Sequence, residues 1–143
     1  MIISILDTAF QAAMPTGFTY YSKPMWEFNY NDSPVNPVML FALPFAATDS
    51  YTKVGIKRTR IVANIFFLKQ TKLVDNQAIR TPIVDEMHDA MVQFMKNLET
   101  DTLVNNIFPE IRSVRYEDMY NVFDPNLDGI SAVVDFEFSN TLC

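Results

Sequence analysis

The sequence predicts an α+β fold in which helices pack on one face of an antiparallel or mixed sheet that contains a long hairpin. Residues 83–98 place apolar side chains at helical spacing, and residues 130–138 alternate between apolar and polar side chains, as a half-buried strand does. Two apolar runs, in 38–45 and 56–70, are separated by a short polar stretch. Helices and hairpins of this kind form a stable layer when the helices cover one face of the sheet.

Length and composition are those of one globular domain spanning residues 1–143. The chain has 143 residues, of which 49% are hydrophobic, and a chain of this size buries enough surface to fold without disulfides or metals. Its net charge is −6, whereas nucleic-acid binding needs clustered Lys and Arg. We therefore expect no specific nucleic-acid binding.

The sequence predicts neither a membrane span nor a secretory signal. No run approaches the roughly 18 apolar residues of a spanning helix, and no basic segment precedes the apolar N-terminus. The one cysteine, Cys143, has no second cysteine to bond with, as is usual in a reducing compartment. We expect synthesis in a cytoplasm.

The beginning of the chain predicts a helix, a short strand and an aromatic loop. Apolar residues in 3–14 fall at helical spacing, and Pro15 with Gly17 ends the helix. A strand is predicted over 18–22. The loop 23–37 follows, and it holds three large aromatic side chains: Trp26, Phe28 and Tyr30.

A long hairpin is predicted next. Residues 38–45 are apolar on both faces, and Pro44 places their end at a sheet edge or a bulge. Residues 46–55 are small and polar and predict a mobile tip. The returning strand, 56–70, is polar at its start and apolar afterwards. A strand that is apolar on both faces is covered on both faces, so one cover is a helix and the second comes from elsewhere.

Residues 81–98 predict the second helix. Thr81 is a candidate N-cap, and Pro82 suits the first helical position because an N–H there has no intrahelical partner. The apolar stripe of this helix is Ile83, Met87, Ala90, Met91, Phe94 and Leu98. Residues 102–107 predict one further helical turn.

Two strands are predicted at the end of the chain. The first covers 111–116 and continues irregularly to 123, and the second covers 130–138. In the second, the alternation directs Ser131, Asp135 and Glu137 outward, away from the apolar set. This alternation predicts one covered face and one wet face.

No set of residues predicts catalysis, and no cofactor is expected. His88 is the one histidine, and it borders the apolar stripe of the second helix. A general base needs an orienting carboxylate and a nearby nucleophile. Asp85 and Asp89 are close in sequence, but no nucleophile motif accompanies them. We expect a boundary histidine and a protein that is not an enzyme.

Residues 124–129 match the first six positions of a calcium-binding loop. Asp124, Asn126 and Asp128 supply oxygens at alternate positions, and Gly129 follows. Position twelve is Asp135 rather than Glu, and the following residues have strand periodicity. The alternative is a hairpin turn, since Asp-Pro, Asn and Asp-Gly are strong turn formers. A calcium-binding or protein-interaction module using 124–135 is therefore the rival function.

Two further features suggest contacts with other protein subunits. The aromatic loop is one, because aromatic residues are enriched at interface cores, although its side chains could instead fold back over the core. The doubly apolar hairpin strands, 38–45 and 61–68, are the other. The basic group at the base of the hairpin is either a solvated strand end or a contact with an acidic neighbour. The predicted interface residues are Trp26, Phe28, Tyr30, Asp49, Tyr51, Lys53, Lys57, Arg58 and Arg60.

The layout of an N-terminal helix, a long hairpin, a crossing helix and a final hairpin resembles the ring-forming proteins of tailed bacteriophages. These are the tail terminators and the neck, or head–tail joining, subunits. Residues 87–94 (Met-His-Asp-Ala-Met-Val-Gln-Phe) and 121–129 (Asn-Val-Phe-Asp-Pro-Asn-Leu-Asp-Gly) are also similar to tail-module proteins of Bacteroidetes phages.

The resemblance implies a homo-oligomeric ring in the neck or tail of a virion, made in the cytoplasm of a host bacterium. The hairpin tip, 46–55, would reach into an adjacent ring, and the helices would form the outer wall. Portal, connector or tail proteins would be the neighbours, and genome DNA would pass through the ring. The resemblance supplies no catalytic residues.

Overall fold

The computed structural model describes residues 2–29, 37–51, 57–71, 77–100, 110–122 and 127–139. It contains three helices and five strands within these ranges. In chain order they are α1 (Ile2–Ala13), β1 (Thr19–Pro24), α2 (Met25–Asn29), β2 (Val38–Tyr51), β3 (Lys57–Gln70), α3 (Gln77–Thr100), β4 (Glu110–Val122) and β5 (Leu127–Ser139).

The five strands form one mixed sheet in the order β1-β2-β3-β5-β4. Strand β1 runs parallel to β2, and the other neighbouring pairs are antiparallel. Strand β5 lies between β3 and β4, because the β2–β3 hairpin and the β4–β5 hairpin meet along β3 and β5. The predicted α+β class with a mixed sheet is confirmed.

The main core lies between the sheet and the two long helices, α1 and α3. Phe10 of α1 stands at its centre, and its ring centroid lies 5.0 Å from that of Phe41 in an edge-to-face contact. The same centroid lies 5.7 Å from Phe94 of α3 and 5.7 Å from Phe136 of β5. The long helices therefore share one face of the sheet, as predicted.

Helix α1 is also held by polar contacts near its middle and at its C-terminal end. The Tyr20 hydroxyl of β1 donates a hydrogen bond to Asp7 Oδ1 at 2.7 Å. Burial, together with this bond to Asp7, raises the pKa of Tyr20 well above its ordinary value. At the C-terminal end of α1, Asn97 Nδ2 of α3 donates to the Ala13 carbonyl at 3.0 Å. The carbonyl of the last residue of α1 thus has a side-chain partner.

The opposite face of the sheet carries a second, smaller core under the short helix α2. Phe28 of α2 packs there with its side chain fully buried, against apolar residues of β2, β3 and β5. The members from the sheet are Val38, Leu40, Ala42, Phe66, Leu68 and Leu127. The prediction that the helices pack on one face holds for α1 and α3 and is wrong for α2. This helix supplies the second cover for the doubly apolar strands.

The predicted start of the second helix is wrong by more than one turn. Helix α3 begins at Gln77, so Thr81 is not its N-cap and Pro82 lies inside it. The reason is tertiary, since Arg80 in the added turn is buried and bonds to Asp128 of β5 and Thr71 after β3. These hydrogen bonds of Arg80 stabilise the added turn by more than the loss of the one helix hydrogen bond that Pro82 removes.

The hairpin strands are longer than the sequence predicts. Strand β2 continues to Tyr51 and stays paired with β3, where Tyr51 lies opposite Lys57. Residues 46–51 are therefore strand and not part of a mobile tip, while 52–56 lie outside the described residues. The predicted irregularity at Pro44 is confirmed as a shift of register between Ala42 and Ala46. A bulge accommodates a proline, which has no N–H for the ladder.

Gly129 lies inside strand β5 and not in the preceding turn. It pairs with Leu68 of β3 on one side and with Met119 of β4 on the other. A Cβ atom placed on it would overlap the backbone carbonyl of Phe67. The Asp-Gly pair was a turn signal in the sequence, but here glycine allows two backbones to approach closely.

Replacing Gly129 by alanine is expected to lower the free energy of unfolding by about 1–3 kcal/mol, because the new methyl group overpacks a fixed backbone. Urea unfolding followed by circular dichroism measures the change. Val133→Ala is the matched control, since Val133 lies in the same strand but is 36% exposed, and we expect a smaller loss. Equal stability of Gly129→Ala and the parent would contradict the close approach.

Candidate assembly surfaces

The sheet face opposite α1 and α3 carries an ordered pair of charges between β3 and β5. Arg60 Nε donates to both carboxylate oxygens of Asp135, at 2.9 and 3.0 Å, and Nη2 also donates to Oδ2. This hydrogen bonding by Arg60 holds the pKa of Asp135 below its usual value and raises the pKa of Arg60. Asp135 therefore stays ionised well into the acid range.

Glu137 lies next along β5 and is contacted from both sides. Arg112 Nη1 of β4 donates to Glu137 Oε2 at 2.6 Å, and Arg58 Nη1 of β3 lies 3.8 Å from Oε1. The side chain of Glu137 is 14% exposed, whereas those of Arg58 and Arg112 are 65% and 45% exposed. The carboxylates thus lie beneath the guanidinium groups.

Arg115 of β4 is exposed on the same face, opposite Val133. We call the set Arg58, Arg60, Arg112 and Arg115 the arginine face. Beside it lies a hollow of about 240 Å³ lined by Arg115, Tyr116, Glu117, Ser131 and Val133. The arginine face presents guanidinium N–H donors to solvent. Backbone and short side chains lie beneath them.

The structure corrects the predicted role of the basic group in part. The acidic neighbours of Arg58 and Arg60 are Glu137 and Asp135 of the same chain, brought close because β3 and β5 pair directly. An acidic partner from another subunit is therefore not needed to neutralise them. Lys53 lies outside the described residues, and for Lys57 only its place in β3 is described.

Beyond the Pro44 bulge, β2 continues as an exposed edge strand beside β3, and β3 is paired with β5 on its other side as far as Arg58. We call residues 46–51 with 57–62 the hairpin extension. Residues 46–51 are exposed throughout, and Tyr51 is 72% exposed. Asp49 accepts a hydrogen bond from Thr59 Oγ1 at 2.7 Å, which links the two strands. Strand β1 pairs with β2 only as far as Leu43, so it does not cover this part of the hairpin.

The aromatic loop does not form the exposed surface that the sequence suggested. Residues 19–24 are a strand and 25–29 a helix, and Phe28 is fully buried against the sheet of its own chain. Phe28 is thus not an exposed contact residue, because the smaller core takes its side chain. Trp26 lies in α2 but its side chain is outside the described set, as is the whole of Tyr30.

Asp128, one of the three predicted calcium ligands, is already paired within the chain. Asp128 is fully buried, and both its carboxylate oxygens accept hydrogen bonds of 2.8 Å from Arg80 Nη1. Asp128 faces α3, whereas Asp135 bonds to Arg60 on the other face of β5, so the two cannot share a cation. Asp124 and Asn126 lie outside the described residues.

His88 borders the apolar stripe of α3, as predicted. Its ring centroid lies 5.0 Å from that of Tyr116 on β4. Its ring therefore packs on an edge strand. In the described parts of the chain, no group of three or more His, Cys, Asp or Glu residues is arranged to hold a metal ion.

Sequence reasoning missed Arg112 and Arg115 as members of the arginine face. A usable signal was present, because Arg58 and Arg60 alternate along β3 with the same period as Asp135 and Glu137 along β5. Opposite charges at equal spacing on two strands predict pairing when the strands are neighbours. No local sequence pattern indicates that β5, rather than β4, lies beside β3.

No protein-family model matches this chain, and no curated protein matches it. Among the helices that the structure describes, none is both long enough and apolar enough to cross a membrane.

Proposed function

We propose that this protein is a structural subunit of the neck or tail of a tailed bacteriophage. Copies of it form a ring that joins the head or portal to the tail, as a tail terminator or connector ring does. Its neighbours are portal, connector or tail proteins of the virion, and its role is not catalytic. The genome passes through the ring, and the net charge of −6 keeps the DNA from binding to it.

The observation that carries the proposal is the hairpin extension. Strand β2 continues past the Pro44 bulge at the edge of the sheet, and residues 46–51 keep their side chains in solvent. Tyr51, at 72% exposure, places a large aromatic ring close to the end of this segment. An exposed edge strand ending in an aromatic side chain suits pairing with a neighbouring subunit, where backbone hydrogen bonds and one anchor provide the contact.

The sheet and its helices support the same function. The elements α1, the β2–β3 hairpin, α3 and the β4–β5 hairpin follow one another in the order of the layout that suggested phage ring proteins, with β1 and α2 added, and this order supports the proposal. We take the hairpin extension as the part that meets the next ring. Head-to-tail contacts between copies close into a ring when the rotation between them permits.

Electron microscopy of the purified protein tests the proposal, with light scattering after size exclusion to measure its mass. We expect ring-shaped particles whose class averages show rotational symmetry, alone or with a portal or tail protein from the same phage. A compact monomer at high concentration that binds no virion component would contradict the proposal.

Changing Tyr51 to alanine is expected to weaken assembly by about 30-fold in dissociation constant, since an interface aromatic anchor contributes about 2 kcal/mol. Sedimentation of the variant with its assembly partner measures the change. Tyr120→Ala is the control, because Tyr120 is also exposed but lies towards the opposite end of the sheet. Equal loss in both variants would assign the effect to something other than the hairpin extension.

A further inference from the structure

The two sides of the molecule present different charged groups to solvent, carboxylates on α3 and guanidinium groups on the opposite face of the sheet. On α3, four acidic residues are exposed, with one exposed basic residue, Lys96, among them, and one of the four, Glu86, is paired with Lys69 of β3 at 3.4 Å. These acidic residues are Asp85, Glu86, Asp89 and Glu99. We call them the acidic side of α3. The arginine face lies across the sheet from it, with Glu117 as an exposed acid at one end.

The arginine face has donors left for a partner. A guanidinium carries five N–H groups, and Arg60 directs those of Nε and Nη2 to Asp135. With a side chain that is 54% exposed, Arg60 keeps further N–H groups in solvent. Asp135 and Glu137 are 11% and 14% exposed at their side chains, so a surface that approaches this face meets guanidinium groups first.

An acidic protein surface suits this face better than nucleic acid does. A net charge of −6 on the whole chain opposes any acidic partner, and it opposes a duplex, whose charge is one per about 1.7 Å of its axis, more strongly than a second copy of the chain. The planar guanidinium fork binds a carboxylate as readily as it binds a phosphate. The acidic side of α3 offers such carboxylates on every copy of the protein.

The two charged surfaces also match in length. From the level of Arg115, opposite Val133, to that of Arg58, opposite Ser139, β5 rises about 20 Å at roughly 3.3 Å per residue. From Asp85 to Glu99, α3 rises about 21 Å at roughly 1.5 Å per residue. One helix can therefore lie along the arginine face and meet it over its whole extent.

We infer that the arginine face of one copy binds the acidic side of α3 on a second copy. This inference rests on the proposed ring and names the surfaces that join its subunits. The two surfaces lie on opposite sides of one sheet, so each copy contributes one surface to each neighbour. Such contacts are head-to-tail, which is the kind that forms rings. They are also exposed and ionic, so salt weakens them.

Charge reversal on each surface tests the inference. We chose Arg115→Glu because Arg115 is not one of the three arginines that contact Asp135 or Glu137. The opposing variant is Asp85→Lys/Asp89→Lys, at two exposed positions of α3. Each is expected to weaken self-association at least about tenfold, because like charges then face each other. Glu27→Lys, an exposed reversal on α2, is the control and should assemble as the parent does.

Combining both changes in one chain, Arg115→Glu with Asp85→Lys/Asp89→Lys, provides the decisive result. The charges are then exchanged across the same contact, and we expect assembly to recover. Light scattering measures the mass of each variant at low and high salt, and circular dichroism checks that each is folded. Failure of the combined variant to recover would overturn the pairing of these two surfaces.

Other outcomes separate this inference from the proposed function. Parent rings that persist in all reversed variants would overturn the inference and leave the ring in place. A parent protein that forms no ring under any condition would contradict the proposed function as well. Binding of a 30-base-pair DNA duplex that is lost in Arg115→Glu would assign the arginine face to phosphate and overturn the inference.

Discussion

Replacing Asp128 by alanine is expected to lower the free energy of unfolding by about 3–5 kcal/mol, because a buried charge then loses its counter-ion. The side chains of Arg80 and Asp128 are 7% and 0% exposed. Arg80 Nη1 lies 2.8 Å from both oxygens of Asp128 and 3.2 Å from Thr71 Oγ1. After the change, the threonine hydroxyl is a weak substitute for a carboxylate.

The matched control replaces the whole pair. Arg80→Met/Asp128→Leu removes both charges and keeps apolar volume, so we expect it to recover most of the lost stability. Chemical unfolding of the parent, the single variant and the double variant measures the differences. A double variant as unstable as Asp128→Ala would show that packing, and not the unpaired charge, causes the loss.

The Arg80–Asp128 pair also leads to an expectation about calcium. Because Arg80 occupies both oxygens of Asp128, we expect calcium to leave the unfolding temperature of the parent protein unchanged. Tight calcium binding that Asp128→Ala abolishes would contradict this ion pair and revive the calcium-binding alternative.

The second large effect is expected in the main core. Phe94→Ala should lower the free energy of unfolding by about 3–5 kcal/mol, because it leaves a cavity that the surroundings only partly fill. Phe94 is fully buried, and its ring centroid lies 5.7 Å from Phe10 and 5.6 Å from Phe67. It therefore joins α1, α3 and the sheet at one point.

Val92→Ala on the same helix is the control for Phe94→Ala. Val92 is 49% exposed, so its truncation makes no cavity and should change stability by about 0.5 kcal/mol or less. Thermal and urea unfolding measure both variants. Full stability of Phe94→Ala would contradict the placement of α3 on the sheet.

Much of the architecture was predictable from local patterns. The stripe of α3 is buried at Met87, Met91, Phe94 and Leu98, and the alternation of β5 buries Ala132, Val134 and Phe136 against the helices. The bulge at Pro44 and the two hairpins were predictable too. These features follow from side-chain periodicity and from the missing N–H of proline, both of which are properties of the local chain.

The candidate surfaces were less predictable. Tyr51, Arg58 and Arg60 were predicted at contacts and are exposed, while Phe28 was predicted there and is buried. Aromatic content alone does not distinguish an interface from a second core. That distinction depends on whether a neighbouring sheet face has apolar side chains that are still uncovered, and this information is distant in sequence.

By itself, the sequence determined the fold class, the two hairpins and the buried stripe of α3. Only the tertiary structure decided that β5 lies between β3 and β4, which pairs Asp135 with Arg60 and Asp128 with Arg80. It also decided the start of α3, the close approach at Gly129 and the burial of Phe28. The physical reason is that each of these depends on groups far apart in the chain, whose bonding and packing outweigh local preference once the sheet has formed.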